Sequence, residues 1–256
     1  MSTATMTASQ VRYANRAFWR NPSRAFLTFA FPLMLLVIFT ALLGNGSIRI
    51  GTTVVKESTY YVAAMAAFGV VTACYNNVAI SITIQRDAGV LKRANGTPLP
   101  NSAFLLARVV HAVFLAFLLV VLTAAFGRAL YSAQIPSGVT LLQVLVMLAV
   151  GAASFCALAL ALTAAIPNAD AANAVVFATI MPLLFLSGIF IPFGDDTPSW
   201  IQWIARVFPV RHFAAGLQAG FLGTPFDWSD VAVVAGWGLV GLLLAMRYFR
   251  WEPSTA

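Results

Sequence analysis

The sequence predicts an all-α, polytopic membrane protein with six transmembrane helices, and three observations predict it. Charged residues make up only 9% of the 256 positions and hydrophobic ones 61%, whereas soluble domains carry about 25% charge. Mean hydropathy is +0.87. Apolar runs of about 18 or more residues recur along the chain, long enough to cross roughly 30 Å of hydrocarbon as helices.

The pattern reads as one domain over residues 1–256: an interfacial helix in 1–24, a bundle in 25–248 and a short tail in 249–256. In the first segment Arg12, Arg16, Arg20 and Arg24 recur every four residues, while Val11, Ala14 and Phe18 fall on another face. This predicts either an amphipathic helix lying in the inner interface or plain positive-inside anchoring. Pro22 should end or bend that helix. The following apolar run starts too late and is too long for a cleavable signal core, so it is expected to remain as a span.

The six spans are expected near residues 25–44, 60–84, 103–126, 139–165, 171–191 and 229–248. Gly44-Asn45-Gly46, Pro136-Ser137-Gly138 and Pro167-Asn168 punctuate the joins. Within the second span, Asn76 and Asn77 are costly in lipid and must face protein or water, as inter-helix hydrogen bonds or as pathway contacts. Alanines at 149, 153, 157, 161 and 165 give the fourth span an i, i+4 ridge suited to close helix packing. Between the last two spans, Trp200, Ile201, Trp203, Ile204 and Val207 predict a short amphipathic helix, re-entrant or capping the outer face. Residues 192–228 as a whole are expected outside.

Orientation follows from Lys and Arg placement. With the N-terminus inside, ten of the 15 basic residues are cytoplasmic, among them Arg86, Lys92, Arg93 and Arg247; Arg49, Lys56, Arg128, Arg206 and Arg211 are left outside. Both termini are therefore expected in the cytoplasm. The net charge of +7 sits beside the apolar runs, which points to anionic lipid and orientation rather than to nucleic acid.

Several function classes are excluded or weakened. Cys74 and Cys156 lie in apolar runs without metal-ligand spacing, so they read as packing residues. No GxxxxGK[ST] loop is present to cradle ATP phosphates, and neither HExxH nor GxSxG occurs. Acidic residues sit at span ends or in loops, whereas ion-coupled carriers bury ionisable groups near the midplane. Energy for uphill transport would have to come from a partner.

Residues 86–100, RDAGVLKRANGTPLP, concentrate charge between two apolar spans. Asp87 is placed to cap a short helix with Val90, Leu91 and Ala94 on its apolar face. Asn95-Gly96 would stop it, and Pro98 and Pro100 stiffen the re-entry into the next span. A small, stiffly tethered cytoplasmic helix suits docking in a groove of another protein.

This stretch resembles the coupling loop of type-2 ABC exporter membrane subunits, a family that includes daunorubicin- and antibiotic-type efflux permeases. The likeness rests on Arg86-Asp87, Gly89, Leu91-Lys92-Arg93 and Thr97-Pro98-Leu99-Pro100. A second signature agrees: Phe185-Leu186-Ser187-Gly188 with Phe190 and Pro192, then Pro198, Trp200, Ile204-Ala205 and Pro209. Asn95-Gly96 departs from the bulkier residues usual there. The resemblance implies a non-catalytic permease at the cell membrane, paired with a second permease copy and bound to separate ATP-binding cassette subunits. ATP and Mg would sit on those subunits, and no cofactor on this chain. Arg86, Asp87, Gly89, Val90, Leu91, Lys92, Arg93 and Pro98 are then expected to contact the ATPase. A hydrophobic or amphiphilic substrate, a drug, antibiotic or lipid-like molecule, would leave between the paired chains. Polysaccharide or glycolipid export, a secondary carrier or channel, and a membrane anchor are the alternatives.

Overall fold

Pro22 sets the first boundary. The computed structural model describes residues 3–43, 46–50, 53–97, 100–193 and 197–252. Its first helix, α1 (Thr3–Trp19), stops just short of the proline, and α2 (Pro22–Leu43) begins on it. Proline at the first helical position lacks only an N–H that would be unpaired anyway, and the Asn21 side chain accepts the Arg24 N–H at 3.1 Å. Helix α1 is amphipathic as expected. Ala14 and Phe18 are buried, whereas Arg12, Arg16 and Arg20 are exposed.

A hairpin not anticipated from the sequence follows. β1 (Ser47–Ile50) and β2 (Thr53–Lys56) pair antiparallel with Ile48 opposite Val55. Its short β-branched runs were too brief to stand out beside the spans.

The second apolar segment is one long rod in three parts: α3 (Glu57–Val71), a π-helical turn (Thr72–Asn76) and α4 (Asn77–Asp87). Helix α3 is buried almost all round, because Ala63, Ala64, Ala66, Ala67 and Gly69 let neighbouring helices approach from several sides. Next come α5 (Val90–Asn95), α6 (Asn101–Tyr131), α7 (Val139–Thr163), α8 (Ala169–Phe185), α9 (Ser199–Val207), α10 (Pro209–Leu222) and α11 (Trp228–Tyr248). Among the described residues, five segments are long and apolar enough to cross a membrane: 22–42, 57–87, 101–131, 139–163 and 228–248. The expected span at 171–191 is shorter here; α8 has 17 residues.

Residues 209–222, within the stretch expected outside, form a buried helix. Helix α10 packs on α3 and α7. Gly216 and Gly220 permit this: a Cβ there would lie 2.4 Å from Met147 Cε and 2.3 Å from Val144 Cγ2. At 14 residues α10 is too short to register as a span, yet its GxxxG spacing was a readable packing signal.

The alanine ridge of α7 is less used than its spacing suggested. Ala149 and Ala153 are exposed, and Ala157 and Ala161 half-buried. Close approach comes from α11 instead, where a Cβ on Gly238 would meet Ser154 Oγ at 2.3 Å and one on Gly241 the Leu158 backbone N at 2.8 Å. Gly241→Leu is therefore expected to cost about 1–3 kcal/mol in detergent unfolding. Gly236→Ala, with open space around it, should be neutral or slightly stabilising.

Candidate functional site

One end of the bundle gathers the segments singled out from sequence. The α4–α5 turn, the α7–α8 turn and the C-terminal tail meet there. Lys92 Nζ lies 3.3 Å from Glu252 Oε1, and Trp251 packs on Phe104 with ring centroids 6.3 Å apart. Both partners in the ion pair are more than 60% exposed, so the bridge is worth at most about 1 kcal/mol.

Arg86 and Asp87 form the firmest contact at this end. A helix leaves its last carbonyls without intrahelical partners and its first N–H groups likewise. Arg86 donates from Nη1 to Thr163 O at 2.8 Å, and from Nη2 to Ile166 O at 2.7 Å and Pro167 O at 3.3 Å. Asp87 accepts the Ala169 N–H on Oδ2 at 2.5 Å, and its Oδ1 accepts from Arg86 Nε at 3.3 Å. A cation thus closes the C-terminal end of α7 and an anion the N-terminal end of α8, each at the helix pole that favours it. Its position in sequence predicts Asp87 as the cap of α5. It caps α8 instead, together with Asn168, whose side chain accepts the Ala171 N–H at 2.9 Å.

The expected ATPase-contact residues divide into two faces. Arg86 is 2% exposed and Leu91 0%, so both are held inside this chain. Lys92 and Arg93 are exposed and Val90 half-buried. A six-residue helix has one apolar side, and Leu91 spends it on its own bundle. Gly89 turns the chain between α4 and α5 at φ +68°, a left-handed conformation that side-chain-bearing residues adopt at a cost of about 1–2 kcal/mol. Asn101 Nδ2 donates to Asn95 Oδ1 at 2.8 Å, tying α5 to the start of α6. Pro98 lies outside the described residues.

Asn76 and Asn77 flank the end of the π turn, where the Asn77 N–H reaches back to Thr72 O. Asn76 is 4% exposed. Asn76 Oδ1, Asn77 Nδ2 and Thr72 Oγ1 are buried without a hydrogen-bond partner. Just ahead of the asparagines, Tyr75 pairs its hydroxyl with Thr179 Oγ1 of α8 at 3.1 Å. Departures of this kind from α geometry concentrate where helices do more than pack.

At the opposite end lie the hairpin and the residues preceding α9. The Tyr60 hydroxyl donates to Gly188 O, and the Gln134 N–H to Thr59 Oγ1 at 3.1 Å. Trp200, Trp203 and Val207 of α9 are all exposed on this single chain. His212 faces Asp230 across 2.6 Å; that hydrogen bond raises the imidazole pKa above its ordinary value against the effect of burial. Both cysteines are buried and unbridged, in keeping with a packing role. Among the described residues no cluster of metal-ligating side chains occurs.

The family model described as "ABC-2 type transporter" matches residues 7–222. A curated relative, "Putative transport permease ycf38" of Porphyra purpurea, is 22% identical over 225 residues, covering 88% of this chain and 76% of that protein.

Proposed function

Because the chain belongs to the ABC-2 type transporter family, we propose that it is the membrane subunit of an ATP-driven exporter, coupled through α5 to separate ATPase subunits. The observation that carries this reading is the short helix α5, seated by buried Leu91 and presenting Lys92 and Arg93 outward at the end of two long helices. A push on such a helix is passed on rather than absorbed.

In this reading the end holding α5 faces the cytoplasm with both termini. Two contacts support counting α8 as a sixth crossing: Ala169 is bonded to Asp87 at the α5 end, and Gly188, just beyond α8, to Tyr60 at the hairpin end. A second permease copy would complete the pathway. The paucity of buried charge favours a hydrophobic or amphiphilic substrate, a drug, antibiotic or lipid-like molecule; polysaccharide or glycolipid export is the alternative.

The test is reconstitution. The purified chain in vesicles is expected to hydrolyse no ATP and to move no substrate uphill until a cognate ATP-binding cassette subunit is added. Uphill transport by the chain alone, or ATP hydrolysis in a preparation free of other proteins, would overturn the assignment.

A further inference from the structure

Between α1, α4, α5 and α6 lies a cavity of about 530 Å³ at the α5 end of the bundle. Its charged lining is of one sign. Arg24, Arg93 and Arg108 reach it from three different helices, and no acidic residue lines it. The only ion pairs among the described residues lie elsewhere, at Arg86–Asp87, Lys92–Glu252 and His212–Asp230. Arg108 has only a neutral hydrogen-bond partner, Gln85 Oε1 at 2.7 Å, and lies over the Phe104 ring at 5.0 Å. Farther in, Asn77 Nδ2 and His111 Nε2, both on lining residues, are buried without hydrogen-bond partners. Arg24 and Arg108, sharing a pocket without a counter-charge, repel one another, and the two orphaned nitrogens forgo hydration.

The lining also has a gradient. The arginines sit toward the loop, while Ala73, Val78, Ala112 and Leu115 close the other end. Leu115 is seven residues beyond Arg108, about 10 Å along the helix axis. Such a pocket fits a molecule with an anionic head and an apolar tail. Arginine is well suited to the head, since its fork matches phosphate oxygens in pairs.

We propose that this cavity binds a phosphate-bearing anionic amphiphile, a phospholipid of the adjacent leaflet, within a single chain. Its head is held by Arg24 and Arg108, with Arg93 at the exposed rim, and its acyl chain runs toward Leu115. The site is separate from any pathway between two permease copies.

The full chain in neutral detergent would be titrated with fluorescent phosphatidylglycerol, with unlabelled phosphatidylglycerol, phosphatidylcholine and inorganic phosphate as competitors. Phosphatidylglycerol should displace the probe. Phosphatidylcholine should need about tenfold more, for want of net charge, and millimolar inorganic phosphate should have little effect, for want of a tail. Removing two cavity charges in Arg24→Gln/Arg108→Gln should weaken binding about 30-fold. The double change Arg12→Gln/Arg16→Gln removes equal charge from α1 outside the cavity and should change binding less than about threefold. Arg108→Lys, alone, keeps the charge but loses the paired fork, so its binding should fall between the unaltered chain and the cavity double variant. Equal losses in the two double variants would reduce the effect to general surface attraction and overturn the proposal. Displacement by inorganic phosphate as effective as by the lipid would overturn the amphiphile assignment. Should the cavity variant fail to fold, the competitor series on the unaltered chain still decides.

Discussion

Replacing Arg86 with Met is expected to cost on the order of 3–5 kcal/mol of stability and to abolish transport. The guanidinium is almost fully buried and satisfies three carbonyls of the α7–α8 turn. Methionine matches much of its volume but leaves those carbonyls and Asp87 without their partner. Arg86→Lys should fall between, because an ammonium is a point charge and cannot span the same acceptors as a planar fork. Asp87→Asn keeps an acceptor for the Ala169 N–H and gives up only charge, so about 1 kcal/mol or less is expected. Unfolding in detergent measures all three. A loss under 1 kcal/mol for Arg86→Met would mean that the guanidinium does not hold the turn. The functional consequence follows from position: Arg86 and Asp87 immediately precede the turn into α5, so they bind the proposed docking helix to two further helices, α7 and α8.

Leu91→Asp should have a comparable effect by another route. Leu91 is wholly buried, and truncation to Ala would already cost about 2–5 kcal/mol. A carboxylate there adds the penalty of an unpaired charge in an apolar contact. Helix α5 should come off its seat, and ATPase association should be lost with it. Lys92→Glu/Arg93→Glu makes the informative contrast. Both side chains are exposed, so stability should change by no more than about 0.5 kcal/mol, while ATPase association falls roughly tenfold or more from charge reversal on the docking face. If Leu91→Asp left stability intact and lost only association, Leu91 would be an outward contact after all. If the reversed pair bound the ATPase normally, the charged face would serve orientation alone.

The contrast shows how the loop was and was not legible. Its charge, its glycine and its helix-sized apolar spacing were all visible, and α5 covers Val90–Asn95 within the expected limits. Which side of the helix meets the bundle was not visible. Leucine on a short amphipathic helix satisfies a partner's groove and its own chain equally well, and only the position of α4 and α6 decides. Arg86 makes the same point. As one of four charged residues in the loop it resembled Lys92 and Arg93; the carbonyls that bury it belong to residues 163–167, some 80 positions along the chain.

Helix α10 escaped for a different reason. Span detection rests on length, and 14 residues do not reach across a bilayer. Its glycines carried the missing information, but a GxxxG face names no partner until Met147 and Val144 of α7 are seen against it.

By itself, the sequence determined the solvent of this protein. Long apolar runs with few charges dictate helices in lipid, because every backbone group there must be bonded within its own segment. The tertiary structure alone decided which charged residues stay inside and which remain free. Arg86 and Asp87 turn inward because two helix ends offer unpaired carbonyls and an N–H at matching positions. Arg24, Arg93 and Arg108 converge on one cavity because three separate helices pack around it. Contacts of that kind depend on where distant segments come to rest, and no local spacing encodes them.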